Sequence, residues 1–398
     1  MLSEALKRRV KSQPVLNRLL VEWRAGEVDR YIAWEQRSYE DRARELGVTV
    51  PDEATVQSEV RARLAARGIS GERHGRPLHV VYATTPGAWE ADSIPPELAK
   101  LGRVSTFYQR DQDMSPVNPD WSSKRPRLPG LFLDWLRRLH AQAPIDALIT
   151  DFCDGDWAPT IRDVCQLGIF TCVYHYDDQL KFCQQWDRRR WQGPRDIYAA
   201  YDLCWTSSPS ALIKYRVEGA RPIFLSQGSA PDVFKPRPGA FKYDVSFVGV
   251  AYGQRPSFID ALRRRGVNVS VFGAGWPSGA ISFEDMIEVF GRSRINLGFG
   301  TISHSRKSIT FKGREFDIPM CGGLVLTNEF QALHSVYDVG REVVTFTDAD
   351  DCARTIHRLL GDPAEADRIR EAGFQRCRRD HTWEQRFARI LRLAGLLP

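Results

Sequence analysis

The sequence predicts an α/β protein of two successive doubly wound domains facing a cleft, preceded by a helical N-terminal extension. Three observations lead there. From Leu78 onward, short apolar strand runs alternate with helical stretches, the pattern of parallel sheets joined by right-handed crossovers. The alternation halts at the proline-rich Pro231-Asp232-Val233-Phe234-Lys235-Pro236-Arg237-Pro238 and then restarts. The 398 residues also exceed what one hydrophobic core usually serves.

Residues 1–76 form the extension, rich in Arg and Glu and poor in Gly. Val15, Leu16, Leu19, Leu20 and Trp23 have helical apolar spacing, and Tyr31 to Leu46 and Glu53 to Ala66 read as two further helices. Pro51 and Asp52 mark the turn between the last two. Three roles stay open for this segment: covering part of the acceptor site, mediating a homodimer, or packing as an arm on the first domain.

Residues 77–235 form the first domain. Its strands are predicted at Leu78 to Ala83, Ala147 to Thr150, Ile169 to Tyr174, Leu203 to Thr206 and Ile223 to Ser226, with helices near Pro96 to Leu101 and at Ser210 to Val217. Residues 236–382 form the second domain, with strands at Asp244 to Val250, Val267 to Phe272, Arg294 to Leu297 and Gly323 to Thr327. Helices are predicted between them at Pro256 to Arg265, Phe283 to Gly291 and Lys312 to Met320, and after them at Asp350 to Leu360 and Ala364 to Arg379. The helix Trp383 to Leu393 opens residues 383–398, read as crossing back to the first domain.

Composition narrows the class. Hydrophobic residues at 42% and charged residues at 27% are ordinary for a globular protein. No apolar run approaches the roughly 20 residues of a membrane span, and Met1 to Leu20 lacks the apolar core and cleavage site of a secretory signal. The expectation is a cytoplasmic protein, with peripheral contact to the inner face of a membrane as a second option. Eight cysteines without a CxxC pair point to reduced, mostly buried thiols rather than a disulfide framework or zinc site. A formal charge of +6 suits an anionic ligand such as a nucleotide diphosphate, or loose attraction to an anionic membrane. It is too diffuse for nucleic acid, which is not expected as a partner.

In parallel sheets ligands bind at the C-terminal strand ends. In the second domain the segment Arg314-Glu315-Phe316-Asp317-Ile318-Pro319-Met320-Cys321-Gly322-Gly323-Leu324-Val325-Leu326-Thr327 puts a charged helix before a glycine pair and an apolar strand. Helical spacing places Arg314 and Asp317 on neighbouring faces of one turn. An arginine fork matches a diphosphate, and a carboxylate accepts from ribose hydroxyls. Gly322 and Gly323 end the helix and permit close backbone approach. By chemistry alone a solvated helix face fits equally.

Ordered blocks between about Asp244 and Leu393 resemble the C-terminal half of the spore-maturation (CgeB-type) glycosyltransferase-like family. That family is a relative of glycosyltransferase family 4 in the GT-B superfamily. The blocks are Phe247-Val248-Gly249 with Arg255 downstream, Ser293-Arg294-Ile295-Asn296-Leu297, the Arg314 to Gly323 segment, Gly340-Arg341-Glu342-Val343-Val344, and His381-Thr382-Trp383 with Arg386. Ser226 to Phe234 is similar to the linker pattern of family 4.

The resemblance implies a GT-B fold and a glycosyltransferase. Such an enzyme moves a sugar from a nucleotide-diphosphate donor to a hydroxyl of a glycan, lipid-linked or small-molecule acceptor, without a metal. Kinship with family 4 leans toward retention. No cofactor is implied beyond the donor itself, a UDP-sugar being the first choice. Asp317 falls where relatives hold the donor ribose with a glutamate, Arg255 where a basic residue meets the diphosphate, and Arg314 is a second diphosphate candidate. Gly249, Gly273 and Lys312 complete the donor set. One position departs: family 4 often has a further glutamate where this chain has Ile309, and Arg306, Lys307 and Lys312 lie nearby instead.

On the acceptor side, Thr84, Gly87 and Glu90 follow the first strand, Asp154 and Asp156 the second, and His175, Asp177 and Asp178 the third. An inverting enzyme needs a general base, which His175 or an aspartate can supply; helix capping is the competing role for the aspartates. A sugar-nucleotide epimerase on the same scaffold and a catalytically degenerate binding protein are the alternatives to a transferase.

Overall fold

The computed structural model describes residues 14–69, 75–84, 88–112, 121–153, 155–182 and 195–398. The chain divides into two compact units, one of 36–234 with 377–398 and one of 1–35 with 235–376. The division after 234 falls one residue from the expected cut after 235, while those after 35 and 376 differ from the cuts expected after 76 and 382. Ion pairs explain where residues 36–69 belong: Arg63 and Arg67 reach the buried Asp202 at 2.8 and 2.7 Å, and Arg216 reaches Glu59 at 2.7 Å, all within the first of these units. The division falls inside a single helix, Pro14–Leu46, where two helices were expected. Gly26 does not break it, because Ala25, Val28 and Ile32 continue one buried stripe.

The unit of 36–234 with 377–398 carries a six-stranded sheet of β1 (His79–Thr84), β2 (Arg103–Tyr108), β3 (Ala147–Thr150), β4 (Phe170–His175), β5 (Leu203–Thr206) and β6 (Pro222–Phe224). The order is β2-β1-β3-β4-β5-β6, all parallel. Strands β1, β3 and β5 are buried along their whole length, as sheets covered on both faces require. The edge strand β2 was not expected, since Arg103-Val104-Ser105-Thr106 leaves most of it accessible. The helix expected near Pro96 to Leu101 runs earlier, over Ala88–Ala99.

The closing helix Trp383–Leu393 packs in this same unit, with Trp383 and Phe387 at 5.9 and 6.0 Å from the Trp205 ring. A capping box of Thr382 and Gln385 starts it. Arg386 is buried and donates to Ser226 O at 3.0 Å, Ser226 Oγ at 2.9 Å and Asp380 O at 2.8 Å. Ser229 N–H donates to His381 O and Trp383 N–H to Ser229 O, at 2.9 and 3.0 Å. The His381-Thr382-Trp383 and Arg386 block is therefore a clasp on Ser226 to Ser229.

The other unit carries β7 (Tyr243–Val248), β8 (Val269–Phe272), β9 (Ser293–Leu297), β10 (Val325–Asn328) and β11 (Val344–Phe346), parallel in the order β11-β10-β9-β7-β8. Val245, Phe247, Ile295, Leu297 and Leu326 build its core. The chain enters at the interior strand β7, turns to β8 on one side, and returns to β9 on the other. The carboxyl ends of β7 and β9 are thus a topological switch point, where doubly wound sheets open a crevice for ligands. The six-stranded sheet has its own switch point between β1 and β3.

Seven cysteines among the described residues are free thiols, all buried except the partly exposed Cys153. No helix among the described residues is long and apolar enough to cross a membrane.

Candidate functional site

At the switch point of the five-stranded sheet, the loops after β7 and β8 are locked together. Gly249 N–H donates to Phe272 O at 2.8 Å, Ala251 N–H to Ala274 O at 2.9 Å, and Trp276 Nε1 to Gly249 O at 2.8 Å. Gly273, with φ of +129°, lies so close to Gly249 that an added Cβ would stand 2.4 Å from its carbonyl oxygen. Only glycine satisfies both conditions.

Two arginines meet above this turn. Arg255 begins the helix Arg255–Arg264 and is buried; it donates to Val250 O at 3.1 Å and Phe299 O at 3.4 Å. Arg314 begins the helix Arg314–Met320 and donates to Val248 O at 3.4 Å and Phe299 O at 3.0 Å. Both guanidiniums also lie over the Phe247 ring, at 5.5 and 5.4 Å, and Arg255 stacks on Tyr252 at 4.1 Å. The Nε of each is buried without a hydrogen-bond partner. Among the described residues neither forms an ion pair, which replaces the solvated helix face weighed for Arg314. Burial, and then the charge of Arg314, push the Arg255 guanidinium down to about 10. Burial also lowers that of Arg314. Both remain charged at neutral pH. Two adjacent cations, Arg255 buried and Arg314 half-buried, neither with an ion-paired carboxylate, are costly, and a polyanion is the ligand that relieves the cost.

The carboxylates nearby divide their work. Glu315 Oε1 accepts from Thr327 Oγ1 and Oε2 from Lys312 N–H, both at 2.7 Å, so this buried carboxylate ties the start of its own helix to β10. Asp317 is buried on the helix that Arg314 begins. Lys312 is half-buried just before that helix.

Gly322 and Gly323 correct the expectation of ligand approach. Gly322 ends the helix at φ of +71°, and a Cβ on Gly323 would stand 2.6 Å from Phe290 O and 2.8 Å from Ile318 Cγ2. They lie before β10, at the sheet edge opposite the switch point, and serve helix–strand packing. Arg306 is likewise committed, pairing with Glu22 at 2.6 Å. Ile309 sits in a local bridge with Thr301.

In the six-stranded unit the candidates separate. Gly87 and Asp154 lie outside the described residues. Thr84, expected to line a cleft, is fully buried at the end of β1, while Glu90 is half-buried. Asp156 is exposed, with Arg125 3.8 Å away. His175 Nδ1 accepts from Asp177 N–H at 3.2 Å, and the Asp177 side chain makes no cap bond to the helix it precedes. Asp178, expected at an open strand end, is fully buried: its Oδ2 accepts from Tyr215 at 2.8 Å and its Oδ1 has no partner. Burial raises this carboxyl to about 6. The enclosure removes it from contact with a substrate.

Sequence reasoning missed Tyr252 and Phe299 and gave Phe247 no role of its own, although the three build the seat of the two arginines. The aromatic residue three positions before Arg255 was the available signal.

Residues 255–392 match the model of a family described as glycosyl transferase-like. In fold the chain is similar to sucrose-phosphate synthase from Thermosynechococcus elongatus, with a TM-score of 0.57 and 14% identity over 80% of this chain and 98% of that one. It is similar to a glycosyltransferase from Rickettsia africae, at 0.56 and 10% over 81% and 98%. It is also similar to Anabaena HepE in complex with UDP and glucose, at 0.55 and 10% over 79% and 99%. No curated protein matches it in sequence. The fold is that of the GT-B glycosyltransferases. The glycosyl transferase-like match begins at Arg255, the first residue of the helix after β7, and takes in the five-stranded unit from there on.

Proposed function

We propose that the protein transfers a sugar from a nucleotide-diphosphate donor held by the five-stranded unit to an acceptor hydroxyl, in the manner of the spore-maturation type of transferase. The observation that carries this is the pair of adjacent arginines at the switch point, Arg255 buried and Arg314 half-buried, each with a buried Nε that has no hydrogen-bond partner and neither in an ion pair among the described residues. As the bond to the anomeric carbon breaks, negative charge gathers on the departing diphosphate, and Arg255 and Arg314 supply the fixed cations that stabilise it. They supply charge that would otherwise come from a divalent ion, so the transfer is metal-independent in this reading. Asp317 takes the ribose and the loop Gly273 to Gly279 borders the base. HepE was solved with UDP and glucose, which favours a UDP-sugar. The six-stranded unit takes the acceptor, a hydroxyl of a glycan, lipid-linked or small molecule, with His175 and Asp177 at the end of β4. Family 4 kinship favours retention.

Thermal-shift titration with uridine, guanosine, thymidine and cytidine diphosphates tests the donor assignment. One of them should raise the melting temperature of the wild type and have no such effect on Arg314→Ala. If none stabilises the wild type, the donor assignment is wrong.

A further inference from the structure

The loop leaving β9 at the switch point closes on itself. Ile302 N–H donates to Ser308 O at 3.0 Å, Ser305 N–H to Ile302 O at 2.9 Å and Thr310 N–H to Gly300 O at 3.0 Å. Within it Ser303 has φ of +51°, the left-handed conformation found in no other non-glycine among the described residues. Such a residue persists where its surroundings over-determine it. The loop is anchored to the N-terminal helix: Asp29 Oδ1 accepts from the Ser305 hydroxyl and from the backbone N–H groups of Arg306 at 3.2 Å and Lys307 at 3.4 Å. Glu22, on the same helix, pairs with Arg306.

Next to the strained serine, His304 lies edge-on to Tyr252 with ring centroids 6.2 Å apart, and Tyr252 carries the Arg255 guanidinium on its face. His304 Nδ1 is buried without a hydrogen-bond partner. Burial, and then the charge of Arg24, lower the pKa of the ring, so it is neutral at physiological pH with one N–H to give. Arg255, Arg314 and His304 thus gather unsatisfied buried nitrogens around one turn.

We infer that His304 is a further donor-site residue, giving its ring N–H to a diphosphate oxygen, and that Asp29 is a positioning residue acting through the loop that presents it. This rests on the reading of Arg255 and Arg314 as the diphosphate seat. The helix Pro14–Leu46 is then part of the donor site.

Calorimetric titration of inorganic pyrophosphate and of UDP into the full chain tests it, with wild type, His304→Ala, Asp29→Ala, their double variant, Asp29→Asn and Arg255→Ala. His304→Ala should weaken both ligands about tenfold, as for one hydrogen bond to a charged group. Asp29→Ala should weaken them several-fold alone and add nothing in the His304→Ala background, a coupling that general destabilisation would not produce. Asp29→Asn keeps an acceptor oxygen and should recover most of the affinity in a chain that folds. Unchanged binding in His304→Ala, with binding lost in Arg255→Ala, overturns the inference and leaves the diphosphate seat intact. Unchanged binding in Arg255→Ala as well overturns both. An Asp29→Ala effect undiminished in the His304→Ala background overturns the positioning role.

Discussion

The guanidinium groups of Arg255 and Arg314 donate to one carbonyl oxygen, that of Phe299, from 3.4 and 3.0 Å. They reach it from the first residues of two different helices, one following β7 and one following β9. A fold seeking only stability would separate two such charges or give them a carboxylate. The nearest acid in sequence, Glu315, instead bonds Thr327 and Lys312 N–H. The unmatched charge is a feature of the site.

The glycine turn beneath the arginines should be intolerant of substitution. Gly273→Ala forces a Cβ against Gly249 O in a conformation that side chains rarely adopt, and should cost about 2 kcal/mol or more and abolish UDP binding. Gly266→Ala, at φ of +80° with open space around it, should cost only about 1 kcal/mol and leave binding intact. Urea unfolding of both variants, with UDP titration, checks the contrast.

Asp178 makes the stability of the six-stranded unit depend on pH. Burial raises its folded pKa from 3.8 to about 6, so the folded state keeps the proton to higher pH than the unfolded chain. Its contribution is complete below about pH 4 and lost as pH rises through 6. Asp178→Asn should therefore match the wild type near pH 4 and exceed it by up to roughly 3 kcal/mol above pH 7. Denaturant unfolding at the two pH values gives the difference; an equal gap at both would show that ionisation is not its source.

The C-terminal clasp should matter to folding and not to the donor. Arg386→Ala leaves Ser226 O, Asp380 O and the His381 ring without their buried donor. A loss of about 2–4 kcal/mol in denaturant unfolding is expected, with UDP affinity of the folded protein unchanged.

Much of this fold was legible because interior strands such as β1, β3 and β5 are buried on both faces, largely apolar, and end in turn residues. The edge strands β2 and β11 were not, one being polar and accessible, the other only three residues long. The arginine seat was half legible. Arg255 and Arg314 stand in ordered blocks, but the aromatic faces beneath them belong to strands and loops that no local pattern joins. The Gly322-Gly323 pair announced a close approach without saying of what, and the neighbour is the Phe290 carbonyl. Asp29 and Ser305 are brought together only by the fold, so the contribution of the N-terminal helix had no signal in sequence.

Isothermal titration of UDP into the wild type, Arg255→Met and Arg314→Met, with melting temperatures recorded for each, tests most directly whether these two side chains hold a diphosphate. The expected result is heat-detectable binding to the wild type, weakened about tenfold or more in each variant, while each unliganded variant melts no lower than the wild type because one of two adjacent like charges is gone. Equal UDP affinity in all three proteins, with melting temperatures preserved, would contradict it.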